Sequence, residues 1–137
     1  MRTPEEILRE AKTIAIVGAS PDPGRPSHGV MGYLQRSGYR VLPVNPTACP
    51  GEILGVPCVP SLAELDEPVD LVDVFRRPEH CGDVAREAAA IGAPALWLQL
   101  GIRSADARSV AEAAGMDYVE DACAAVVHRR LQEPRLG

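Results

Sequence analysis

Short apolar runs rich in β-branched residues alternate along this chain with longer amphipathic stretches, a rhythm that predicts an α/β fold with a parallel sheet covered by helices on both faces. Five runs have strand length: Thr13 to Val17, Arg40 to Val44, Leu71 to Phe75, Ala95 to Gln99 and Tyr118 to Glu120. The third and fourth show no polar alternation apart from Asp73 and Gln99, so they belong at or beside the sheet centre. Trp97 reads as core. Asp73 interrupts its run and is expected at the polar edge of a crevice or hydrogen-bonded to a helix start.

The punctuation between the runs agrees. Pro4 to Ala11 reads as an opening helix, and Pro26 as the start of a helix after the first strand. Pro78 can take the first position of another, closed by Gly92 in the left-handed conformation, and Ser104 to Ala114 followed by Gly115 repeats that arrangement. Ser61-Leu62-Ala63-Glu64 has capping-box spacing for a short helix. A closing helix is expected from about Ala122 to Leu131. Pro46 to Pro60 holds four prolines with Gly51 and Gly55 and reads as an irregular excursion. Right-handed crossovers then make a doubly wound sheet of order 3-2-1-4-5 the simplest topology, with ligand at the carboxyl ends of strands one, two and four.

With 137 residues the chain fits one compact domain with a single core. Net charge is −5, with both signs interspersed, so no broad cationic face for nucleic acid is expected. No stretch approaches the roughly 20 apolar residues of a membrane span, and the acidic N-terminus does not read as a signal peptide; the expectation is a cytoplasmic protein. Cys49, Cys58, Cys81 and Cys123 are widely spaced without a C-x-x-C pair, so they read as free thiols rather than zinc ligands, and Cys123 as a small buried hydrophobe.

The informative chemistry lies where the first strand stops on Gly18-Ala19-Ser20. A glycine there lets an anion approach the backbone, and the helix start at Arg25-Pro26-Ser27-His28 offers free N–H groups and a cation. Beyond Gly18 the second and third glycines of the dinucleotide fingerprint are missing. At the end of the second strand, Val44-Asn45-Pro46, an amide stands where an NAD site would place a carboxylate, and an amide tolerates a ribose phosphate. Phe75-Arg76-Arg77-Pro78 brings a ring and two guanidinium groups to the same sheet edge, with Arg76 favoured over Arg77 to face the crevice. No nucleophile with a base and no metal cluster is visible.

Ile16 to Ser20, Arg25 to His28, Gly38 to Val41 with Pro43 to Pro46, and Trp97 to Gly101 together resemble the small stand-alone CoA-binding-domain proteins, which are similar to the N-terminal domain of the succinyl-CoA synthetase α subunit. The resemblance spans about Ile7 to Leu131. It implies a Rossmann-like fold and coenzyme A or a short acyl-CoA as ligand. It would place Gly18, Ala19, Ser20, Arg25, Pro26 and Ser27 around the phosphates, Val44, Asn45 and Pro46 along the nucleotide or pantetheine, and Phe75, Arg76 and Gln99 along the rest of the crevice. The ligase partner domains have no counterpart here, so a carrier, sensor or accessory subunit is expected, with a protein partner or homo-oligomer open. The rivals are an NAD(P)- or acyl-CoA-dependent enzyme using His28 or Cys123, and a ligand-free interaction module on the same fold.

Overall fold

The computed structural model describes residues 1–133. Five strands form one parallel sheet: β1 (Thr13–Val17), β2 (Arg40–Val44), β5 (Leu71–Val74), β6 (Ala95–Leu98) and β7 (Asp117–Val119), in the order β2-β1-β5-β6-β7. A small antiparallel hairpin, β3 (Glu52–Ile53) and β4 (Val56–Pro57), lies in the proline-rich excursion. Five helices connect and flank the sheet: α1 (Pro4–Glu10), α2 (Pro26–Arg36), α3 (Pro78–Ala90), α4 (Ala105–Ala113) and α5 (Ala124–Leu131).

Alternation within each strand sorts the core into two layers. Ala15, Val17, Val72, Val74, Leu96 and Leu98 meet the buried faces of α3 and α4. Ile14, Ile16, Leu71, Ala95 and Trp97 meet α1, α2 and α5. Trp97 is fully buried as expected, and its indole N–H donates to the Ala122 carbonyl at 2.8 Å. With both faces covered, the central strands have no place for an alternating polar set.

The doubly wound sheet is the one expected, but the neighbour of the third expected strand differs. In the chain order of those five strands the sheet runs 2-1-3-4-5, because β5 pairs with β1 and not with β2. The excursion explains this. Its end lies along the outer edge of β2: Asn45 N donates to Val59 O at 3.0 Å, Val59 N donates to Pro43 O at 3.2 Å, and Val44 and Val59 form a parallel bridge. With that edge taken, the next strand finds its partner on the free side of β1. The capping-box segment forms only a 3₁₀ turn, Leu62–Glu64, and Ser61 makes no side-chain cap. Gly92 and Gly115 close their helices with positive φ, as expected.

In this order β1 and β5 form the switch point: α2 leaves β1 toward one face and α3 leaves β5 toward the other. A crevice opens between their starts.

Candidate functional site

Three turns frame the crevice, and hydrogen bonds tie each to its neighbour. Gly18 N donates to Val44 O at 2.9 Å, Phe75 N to Val17 O at 2.8 Å, and Gln99 N to Val74 O at 3.2 Å. Gly18 has φ +89°, and a Cβ built there would lie 2.3 Å from the carbonyl oxygen of Phe75. The glycine is therefore demanded first by the close passage of β5, in a conformation that L side chains rarely adopt. Ahead of α2 the loop is folded on itself, with Ser20 Oγ accepting from Asp22 N at 3.1 Å and Asp22 Oδ1 from Gly24 N at 2.9 Å.

Asn45 is hydrogen-bonded through both atoms of its side-chain amide. Its Nδ2 donates to Ala19 O at 2.8 Å, and its Oδ1 accepts from the backbone N–H of Thr47 at 2.9 Å and from Thr47 Oγ1 at 2.8 Å. The amide is committed on both sides, in an Asx-type turn that clamps the end of β2 to the β1–α2 loop.

The crevice is a cavity of about 880 Å³ across the carboxyl ends of β1, β2, β5 and β6, within the range of roughly 300–1,000 Å³ usual for ligand pockets. Ten of the residues expected at the site line it: Gly18, Ser20, Arg25, Pro26, Ser27, Asn45, Pro46, Phe75, Arg76 and Gln99. Ala19 and Val44 do not. Their side chains are 0% and 2% exposed and pack into the core behind the wall. The wall also takes in Pro21, Val30, Thr47, Ala48, Arg77, Pro78, Leu100, Ile102 and Cys123. Arg77 joins Arg76 there because it is the extended N-cap residue of α3, where strand alternation has ended and adjacent residues need not point apart. The two were adjacent in the sequence signal; only the turn of the chain admits both.

The electrostatics of the wall are one-sided. It contains three arginines and no carboxylate, and Arg25, Arg76 and Arg77 form no ion pair among the described residues. Helix starts follow the same division. Thr3 caps α1 with a full capping box and Ser104 caps α4, whereas α2 and α3, which open onto the crevice, have no side-chain cap. Uncapped N–H groups at two helix starts carry partial positive charge toward the same space. At α5, Gln99 Oε1 accepts from Ala124 N at 3.1 Å, so this glutamine braces the third helix start while lining the cavity.

Several other residues fall elsewhere than expected. Asp73 is neither at a crevice edge nor bonded to a helix start: it is fully buried between Ile16 and Trp97 in register, and neither carboxyl oxygen has a partner. Burial pushes its carboxyl well above the ordinary aspartate range. Cys49 and Cys58 are not free thiols. The β3–β4 hairpin brings their Cα atoms to 5.5 Å, and they form a disulfide; the separation of nine residues hid a pairing that only the hairpin creates. Cys123 is half-buried on the cavity wall, while Cys81 is buried and its thiol is pushed up to about 11 by burial. His28 is half-buried outside the wall, and His128 lies buried against Tyr33 with Nδ1 2.9 Å from the Tyr33 hydroxyl. No group of three metal-ligating side chains occurs among the described residues, and no helix among them is long and apolar enough to cross a membrane.

Comparison with known proteins bears on this geometry. YneT of Bacillus subtilis (strain 168) is 43% identical over 124 residues, covering 90% of this chain and 90% of its own. An ADP-forming acetate–CoA ligase (I) of Archaeoglobus fulgidus is 31% identical over 137 residues, spanning 92% of this chain but only 20% of the ligase. A solved structure from Thermus thermophilus superposes with a TM-score of 0.90 at 44% identity, covering 95% of this chain and 99% of that one. The sequence pattern of the CoA binding domain matches residues 12–129, and the chain belongs to that family.

Proposed function

We propose that this chain binds coenzyme A, or a short acyl-CoA, non-covalently in the crevice between the starts of α2 and α3, and serves as a carrier, sensor or accessory subunit. The observation that carries the reading is the wall itself: three arginines without carboxylate partners, in a chain whose net charge is −5, beside two helix starts without side-chain caps. Leaving cations unpaired in an acidic protein suits a ligand with several phosphates.

In this reading Arg25, Ser27 and the first N–H groups of α2 take the diphosphate. Arg76 and Arg77 compete for the remaining phosphate, and Phe75, Val30, Leu100 and Ile102 give the pantetheine arm an apolar track. Asn45 and Gln99 hold the turns in place rather than supplying the recognition. The work is done by preorganised donors, so little reorganisation accompanies binding.

Calorimetric titration with CoA, dephospho-CoA and NAD tests this. CoA is expected to bind best, and loss of the 3′-phosphate to cost about tenfold in affinity, as for one charge-assisted contact. Tighter binding of NAD than of CoA would overturn the reading.

A further inference from the structure

The Cys49–Cys58 bridge sits where it can control one wall of the crevice. Thr47 and Ala48 line the cavity and lead directly into Cys49. On the other side Cys58 is 8% exposed, its N–H donates to Gly51 O at 2.9 Å, and the next residue, Val59, is hydrogen-bonded to β2. The bridge thus joins the rim segment to a point fixed on the sheet edge. Besides the bridge, the rim is held by the Asn45 amide through Thr47; among the described residues, the backbone N–H groups of Ala48 and Cys49 have no protein acceptor. The reduced form is provided for as well. Cys58 Sγ lies 3.8 Å from Asn45 O and 3.7 Å from Val59 O, so a thiol formed there finds acceptors already in place.

We propose that this disulfide is a redox-operated latch on the crevice rim, holding Thr47 and Ala48 in place when closed and weakening ligand binding when opened by a dithiol. The ligand part of the proposal rests on the CoA reading above. The thiolate of the dithiol attacks the half-buried Cys49 sulfur, and Cys58 leaves as a thiolate that takes up a proton. The second thiol of the reductant then displaces Cys49. Two electrons and two protons pass to the protein, and the reductant departs as its own disulfide.

The test uses the whole chain, oxidised or treated with dithiothreitol, with the Cys49→Ser/Cys58→Ser double variant as a permanently open form. Alkylation in denaturant should find Cys81 and Cys123 alone before reduction and all four cysteines after it. In the absence of ligand, amide exchange at Thr47 and Cys58 should accelerate about tenfold on opening while Asn45 and Val59, paired along β2, stay protected. The Kd for CoA should rise about three- to tenfold, as expected when a preorganised wall is released. Four alkylated cysteines before reduction, or unchanged exchange at Thr47 and Cys58, overturn the latch. Faster exchange with an unchanged Kd overturns its control of binding. Failure of both redox forms to bind CoA overturns the CoA reading instead, and the exchange data then decide the latch on their own.

Discussion

On the flank built by α3, α4 and β7, arginines are matched to carboxylates: Arg86 lies between Asp83 and Asp106, Arg103 between Glu120 and Asp121, and Arg108 reaches Glu120 while stacking over Tyr118. In the crevice, at the starts of α2 and α3, Arg25, Arg76 and Arg77 face none. Exposed pairs of the first kind contribute about 0–1 kcal/mol each to stability, so the flank gains little from its arginines beyond solubility. The unpaired arginines add no ion pair to the fold among the described residues and keep their guanidinium donors for an anion. The same residue type thus serves two ends, and the neighbouring carboxylates decide which.

That contrast can be broken most directly by the Arg25→Ala/Arg76→Ala double variant. It should lose about 100-fold in CoA affinity, corresponding to two charge-assisted contacts, with the unfolding midpoint unchanged, whereas Arg86→Ala should leave affinity untouched. Calorimetry and thermal melts on both proteins read the difference, and equal losses of affinity would erase the distinction between the two regions.

Gly18→Ala sharpens it from the side of the scaffold. A methyl group must displace the Phe75 carbonyl and hold a positive φ, a combined cost of about 2 kcal/mol or more. Denaturant unfolding should show that loss, and a variant as stable as the parent would show that the close passage of β5 is dispensable.

Asp73 is the inverse of the crevice arginines, a carboxyl buried without a cation. Its raised folded-state pKa means that the unfolded chain loses this proton first. The associated stability is therefore complete below the ordinary aspartate value of about 4 and declines as pH rises from there toward the folded-state value. Asp73→Asn should remove that decline, giving a protein about 1 kcal/mol more stable than the parent at pH 7, an advantage that vanishes at pH 3. A constant offset across pH would mean that Asp73 does not titrate in this way.

How far these features were legible in the sequence depends on how local they are. The five strands and the glycine-closed helices follow from periodicity and turn chemistry, which act within a few residues, while the ten residues of the crevice wall come in large part from the family resemblance. The position of β5 was not legible, because it turns on Val59 docking beside Val44, a contact that composition does not announce. Ala19 and Val44 sit in the site's segments yet face inward, since strand alternation and a tight turn aim them at the core. Asn45 was legible as a residue of the β2 end, but that both its amide atoms join two turns was not, since one partner, Ala19, lies 26 residues away in the chain. The Cys49–Cys58 bridge stayed hidden because the hairpin that aligns its ends is only two residues long on each side.

The hydrogen bonds that frame the crevice run from main chain to main chain, through Gly18 to Val44 and Phe75 to Val17, and the guanidinium groups on its wall hold up nothing. At the arginines architecture and recognition are thereby uncoupled, so substitutions there can retune what the hollow accepts while folding proceeds as before, whereas Asn45 and Gln99 line the hollow and brace the scaffold at once.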